Sequence, residues 1–164
     1  MKQVNAATNK IMDLKHLRAW VAAQRVKGKK IAFTNGCFDI IHIGHIASLK
    51  AAAQEADCLV VAINSDSSVK SLKGPQRPIN SEMNRAAVVA SFIYTDAVII
   101  FEEDTPLHVI QSILPDVLVK GGDYTIEQIA GASDVVANGG RVVIHPIVDG
   151  YSTTGIVEKV QYIK

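Results

Sequence analysis

The sequence predicts an α/β fold built on a doubly wound, five-stranded parallel sheet, and three observations predict it. Five apolar runs, at 31–35, 59–63, 97–101, 117–120 and 141–145, are rich in Val, Ile and Leu. They are near-continuous, not alternating, which is the pattern of strands buried on both faces, as in a parallel sheet. Helical stretches at 43–56, 81–94, 105–114 and 126–138 separate them, and such alternation layers helices on both sides of one sheet.

The first strand, Ile31 to Asn35, follows a polar N-terminus and an amphipathic stretch at 10–27. That stretch sets Ile11, Leu14, Leu17 and Val21 on one face, and Gly28 is placed to stop it. It reads as a helix that packs on the sheet or meets a second copy of the chain. After the second strand, Asn64 to Asn80 reads as a long polar loop bearing Lys70, Lys73 and Arg77; loops of that length are usually functional or disordered. Glu102-Glu103-Asp104 reads as a turn and helix start ahead of Pro106, with Asp104 as the cap. Gly121-Gly122 reads as a turn after the fourth strand. The last helix starts at Ser152-Thr153-Thr154, whose hydroxyls suit an N-cap, and runs to Tyr162. With no repeat and no low-complexity linker, residues 1–164 are expected to form a single domain with a helical extension over 1–28.

Composition narrows the function. The chain of 164 residues is 48% hydrophobic and 20% charged, which is globular and not disordered. Its net charge is +1, and its densest basic cluster, Lys27 to Lys30, is broken by Gly28, so no nucleic-acid partner is expected. No long apolar run suggests a leader or a membrane span. Cys37 and Cys58 have neither CxxC nor zinc spacing, so two reduced thiols in a cytoplasmic protein are expected.

The chemistry collects at the strand ends, where open α/β sheets bind ligands. The first strand runs into Thr34-Asn35-Gly36-Cys37-Phe38-Asp39 and then His42-Ile43-Gly44-His45, at the start of a helix. Helix N-termini carry free N–H groups and partial positive charge, so this corner suits phosphate, with the imidazoles as further donors and Gly44 admitting a bulky ligand. The other strands deliver Asn64 and Asp66, then Lys120, Gly121 and Asp123, then the Ser152–Thr154 hydroxyls. Imidazoles, lysines and hydroxyls suit phosphates; Asp39 and Asp123 suit a divalent cation or a sugar. Together they suggest a nucleotide polyphosphate with Mg²⁺. Either histidine alone is more often a packing or capping residue, the pair after a strand is the stronger signal for a ligand, and Lys70 and Lys73 read equally well as solvated loop charges.

These segments carry a resemblance. Thr34 to Asp39 with His42-Ile43-Gly44-His45 is similar to the opening motif of the cytidylyltransferase-like nucleotidyltransferases, and Tyr151-Ser152-Thr153-Thr154 to their second motif. Asn64-Ser65-Asp66, Leu72-Lys73-Gly74, Arg77-Pro78, Phe101 to Pro106 and Leu118 to Tyr124 resemble the heptose 1-phosphate adenylyltransferase branch. The likeness runs from about residue 10 to the C-terminus. It implies a Rossmann-like fold and transfer of AMP from ATP, with Mg²⁺, to a sugar 1-phosphate, most specifically D-glycero-β-D-manno-heptose 1-phosphate. It also implies a separate sugar kinase upstream, since that half of the bifunctional relatives is absent here, and a homo-oligomer, most simply a dimer.

By the same resemblance His42, His45 and Lys73 are the catalytic candidates. Thr34, Asn35, Gly36, Cys37, Phe38, Gly44, Lys120, Gly121, Ser152, Thr153 and Thr154 would hold nucleotide and phosphate. Asp39, Asn64, Asp66 and Asp123 would lie near the sugar phosphate or Mg²⁺, with no dedicated protein metal site. One departure favours the heptose branch: cytidylyltransferases acting on glycerol or choline phosphate have an arginine where this chain has Ile147, and Lys120 is the candidate replacement. Three alternatives stay open: a cytidylyl or other nucleotidyl transfer to a different acceptor, a non-catalytic nucleotide-binding module, and a fragment of a class I synthetase. The last is disfavoured by the near-neutral charge and short chain.

Overall fold

The computed structural model describes residues 7–122, 124–146 and 150–161. Five strands, Ile31–Gly36 (β1), Cys58–Asn64 (β2), Ala97–Phe101 (β3), Val117–Gly121 (β4) and Arg141–His145 (β5), form one sheet in the order β3-β2-β1-β4-β5. Every neighbouring pair is parallel. β2 lies inside the sheet and is buried at all seven residues, which is why its sequence does not alternate.

Among the described residues, seven α-helices flank the strands: Leu14–Val26 (α1), Ile43–Ala53 (α2), Asp66–Lys73 (α3), Glu82–Ala90 (α4), Leu107–Ile113 (α5), Ala132–Ala137 (α6) and Thr153–Gln161 (α7). The two-residue period of the strands divides the core. Ile31, Phe33, Val60, Ala62 and Leu118 pack with Leu17 and Val21 of α1, Val109, Ile110 and Ile113 of α5, and Val135 of α6. Ala32, Leu59, Val61, Ile63 and Val119 pack with Leu49 and Ala52 of α2 and Ala86, Val89 and Ala90 of α4. The expected α/β class and parallel order are therefore found, with helices on both faces.

Several boundaries differ from the sequence expectation, each for a local reason. The helix expected at 10–27 starts at Leu14, where Asp13 accepts from the His16 N–H at 2.8 Å. Residues ahead of it run along the sheet edge instead: the Met12 N–H donates to the Val98 carbonyl at 2.8 Å, covering part of an otherwise open strand. The polar loop at 64–80 contains α3, capped by the Ser65 side chain and ended by Gly74 at φ +95°. The helix expected at 126–138 is split into a 3₁₀ turn at Ile126–Gln128 and α6. Gly131 breaks it at φ +79°, where a Cβ would lie 2.6 Å from Ile110 Cγ2. Asp123, Ile147 and Tyr162 lie outside the described residues.

The chain builds β1, β2 and β3 in one direction, then returns past β1 to add β4 and β5 on the other side. The connections after β1 and β4 thus diverge and leave a crevice at their carboxyl ends. Strand alternation turns Thr34 and Gly121 toward the α2 side of that crevice, and Asn35 and Lys120 toward the α5 side.

Candidate active site

β1 leaves the sheet through a tight corner. Phe38 is left-handed at φ +50°, a conformation that costs a bulky residue on the order of 1–3 kcal/mol and is kept where the surroundings enforce it. Its ring is 6% exposed and folds back over Gly36, where a Cβ would lie 3.0 Å from Phe38 Cε2. The same ring meets His45, with centroids 5.3 Å apart. His42, the N-cap of α2, makes no side-chain capping bond; its ring stacks on His45 with centroids 3.9 Å apart and planes 29° from parallel. Gly44 is needed between them for a reason other than ligand access: a Cβ there would come within 3.0 Å of His42 Cε1 and Nδ1. The glycine makes room for the imidazole stack.

Burial keeps both rings neutral. The pKa of His45 is pushed down to about 4 by desolvation, with His42 adding repulsion; burial also lowers that of His42. Both Nδ1 atoms are buried with no hydrogen-bond partner among the described residues. A stability consequence follows by linkage. The unfolded chain protonates His45 at about pH 6.5, but the folded chain does so only near pH 4. The stabilisation is full above pH ~6.5 and is lost as pH falls toward the folded value. The urea midpoint is expected to drop across this window and to drop less in His45→Gln; equal acid sensitivity in both proteins would refute the assignment.

Two cavities meet at this stack. One of ≈ 450 Å³ is lined by Thr34, Asn35, Gly36, Gly44, Ser48, Lys120, Gly121 and His145, among others. The second, of ≈ 320 Å³, is lined by Cys37, Asp39, Lys73, Arg77, Ser152, Thr153 and Thr154. Phe38, His42, His45 and Tyr151 line both. The first turn of α7 walls the second cavity: Ser152 Oγ accepts from the Gly155 N–H at 3.0 Å, and Thr153 Oγ1 donates to the Ile40 carbonyl at 3.3 Å. With Lys73 at the end of α3 and Arg77 beyond it, this cavity joins two cations to a helix N-terminus, an arrangement that favours anions.

The residues expected beside sugar phosphate or Mg²⁺ fare differently. Asp39 borders the anion cavity but is 3% exposed. Its carboxylate accepts from Arg77 Nε at 2.7 Å and from the Ile79 and Asn80 N–H groups at 2.9 Å each. Burial alone would raise its pKa, but these donors hold it below the usual carboxylate range. Asn64 is 4% exposed and donates to Ser68 Oγ at 3.0 Å. Asp66 accepts from Arg85 Nη2 at 2.8 Å. All three are thus bonded within the protein, Asp39 while lining the anion cavity and Asp66 with its side chain 34% exposed. Among the described residues, no three His, Cys, Asp or Glu side chains gather to hold a metal ion.

Arg85 is the residue that the sequence reading missed. It is 1% exposed and ties three segments together. Its Nη1 donates to the Cys37 carbonyl at 2.6 Å, its Nε to the Asn80 carbonyl at 3.0 Å, and its Nη2 to Asp66. The signal was its position on the buried face of α4 beside Ala86, Val89 and Ala90, where an unpaired arginine would not be tolerated.

Residues 33–159 match the family model for cytidylyltransferase-like proteins. The chain belongs to the cytidylyltransferase-like family. It is 50% identical over 151 residues to the bifunctional protein HldE of Mesorhizobium japonicum, which spans 92% of this chain but 30% of that protein. It is 51% identical over 154 residues to the HldE of Haemophilus influenzae, across 94% of this chain and 32% of that one. This cytidylyltransferase-like chain thus spans about a third of the length of these relatives. Among solved structures, it is similar to a lipopolysaccharide core biosynthesis protein from Thermoplasma volcanium, with a TM-score of 0.61 and 28% identity over 76% of this chain and all of that one. A pantoate-beta-alanine ligase from Francisella tularensis shares the fold alone, with a TM-score of 0.58, 16% identity and coverage of 92% of this chain and 76% of that one.

Proposed function

We propose that the chain transfers AMP from Mg·ATP to D-glycero-β-D-manno-heptose 1-phosphate, giving ADP-heptose and pyrophosphate. One observation carries the transferase reading: the His42–His45 stack is the common wall of a larger cavity and a cationic one. A nucleoside in the first and a β,γ-diphosphate in the second set the α-phosphate against the imidazoles. The choice of acceptor is supported by identity of about half to the HldE proteins and by the name of the Thermoplasma volcanium relative.

The acceptor's phosphate oxygen attacks the α-phosphorus in line. The bond from the α-phosphorus to the bridging oxygen breaks, and its electron pair leaves with pyrophosphate. A phosphate monoester has a second pKa of about 6, so the nucleophile is already ionised near neutral pH and needs no general base. The neutral imidazoles suit this: each donates one N–H to the charge building on the α-phosphate. Lys73, Arg77 and the α7 N-terminus receive the leaving pyrophosphate. Mg²⁺, carried in as part of the ATP substrate, would neutralise part of the charge. A cytoplasmic setting, one nucleotidyltransferase domain across residues 1–164, a homodimer and a sugar kinase acting upstream in the pathway belong to the same proposal.

The test is pyrophosphate release from ATP, CTP and GTP, each offered with a panel of sugar 1-phosphates. ATP with the heptose 1-phosphate is expected to be the best pair. Preference for CTP would overturn the adenylyl assignment. ATP binding without release from any pair would favour a non-catalytic nucleotide-binding module.

A further inference from the structure

A third cavity, of ≈ 130 Å³, opens on the α5 side of β1 and β4. Asn35, Asp104, Pro106, Lys120, Tyr124 and Gln128 line it, and Asn35, Lys120 and Tyr124 also line the ≈ 450 Å³ cavity. The two are therefore neighbours across the crevice where the strand connections diverge. Lys120 stands at the boundary, its Nζ donating to Asn35 Oδ1 at 3.0 Å and lying 5.5 Å from the centre of the Tyr124 ring. Burial lowers its pKa, so its charge gains from a partner. Tyr124 is folded over Gly122, where a Cβ would sit 3.0 Å from its Cε2.

Asp104 differs from the carboxylates and amide expected beside the acceptor. Asp39, Asn64 and Asp66 are taken up by bonds within the protein. Asp104 is exposed and makes no hydrogen bond or ion pair among the described residues. It was expected to cap α5, yet Pro106 holds the N-cap position with no side-chain capping bond. Gln128 Oε1 accepts from the Thr125 N–H at 2.9 Å, which leaves the side-chain amide N–H groups to donate. At about 30 Å³ per water molecule the cavity has room for roughly four. That is too small for a nucleoside and of the order of part of a sugar. A carboxylate, an amide, an aromatic face and a cation at the mouth match a polyhydroxyl body that carries one phosphate.

Resting on the transferase reading above, we propose that this cavity seats the sugar of the acceptor. Asp104 and Gln128 bond its hydroxyls, Tyr124 covers its C–H face, and Lys120 holds its phosphate toward the α-phosphorus. Asp104 is then a specificity-determining residue.

The experiment is steady-state kinetics of pyrophosphate release by wild type, Asp104→Asn and Asp104→Ala, varying ATP and the sugar 1-phosphate in turn. Asp104→Ala is expected to raise the acceptor KM about tenfold or more, the size of one lost charge-assisted hydrogen bond. The KM for ATP is expected to stay within about twofold, and Asp104→Asn to fall between. Thermal midpoints show that each variant is folded, and Asp104→Asn carries the test if the alanine variant is not. An unchanged acceptor KM, or an ATP KM that rises in step with it, overturns the sugar seat while leaving the transferase reading intact. Absence of release by wild type with every sugar 1-phosphate overturns that reading itself.

Discussion

His45→Ala is expected to lower turnover about 10²–10³-fold, the usual loss when one preorganised donor to a developing anion is removed. The KM for ATP should change little, because the nucleoside and the β,γ-phosphates keep their own contacts in the two cavities. His45 stands out for its position. It touches both Phe38 and His42 and lines both cavities, so the α-phosphate cannot lie between the cavities without meeting it. Its neutrality before substrate arrives means that the ring brings a dipole and a hydrogen bond, and any full charge is gained only when the polyphosphate binds. Folding should survive the change, since the ring is half-buried and belongs to neither main core cluster. Turnover within about threefold of wild type, equivalent to less than ~1 kcal/mol of barrier, would remove His45 from the mechanism.

Arg85→Ala is expected to cost about 2–4 kcal/mol of stability and to reduce turnover even where the chain remains folded. The side chain is fully buried, and its loss strands the Cys37 and Asn80 carbonyls and leaves the Asp66 carboxylate unpaired. The stability loss is put below that of a fully buried pair because the Asp66 side chain is 34% exposed and can regain water. The loss of turnover has a separate cause. Cys37 sits in the corner that carries Phe38 against His45, and Asn80 ends the segment whose Arg77 faces the anion cavity. Without Arg85, both walls of that cavity lose an anchor. Arg85→Lys keeps the charge but not the planar fork, so it should recover only part of either loss. Urea unfolding and pyrophosphate release measured on the same preparations decide the matter. A variant that matches wild type in both would show that Arg85 anchors neither wall.

Much of the fold was legible because its signals are local. Val, Ile and Leu runs mark buried parallel strands without knowledge of their neighbours. α3 escaped notice because six of its eight residues are Asp, Ser or Lys and only Val69 and Leu72 are apolar; among its residues only Ser68 and Val69 are buried. The break at Gly131 was equally invisible, since what requires it is Ile110 pressing from another helix. At the site, strand ends pointed to His42, His45, Lys120 and the Ser152–Thr154 segment, and these residues do converge on adjoining cavities. Asp39, Asn64 and Asp66 were equally visible as polar strand-end residues, but not as residues already bonded. The Arg77 partner of Asp39 lies 38 positions away, and the Cys37 partner of Arg85 lies 48 away.

The sequence by itself therefore determined the α/β class, the parallel strands and the end of the sheet where chemistry collects. Hydrophobic period, capping residues and glycine positions act within a few residues of chain, and they decide those features. Only the tertiary structure decided that two histidines form one neutral wall between two cavities, that Asp39, Asn64 and Asp66 are committed to bonds within the protein, and that Asp104 stands beside a cavity with Lys120. Protonation depends on how much water packing removes, and availability depends on donors brought in from distant segments. Neither quantity exists until the chain has folded.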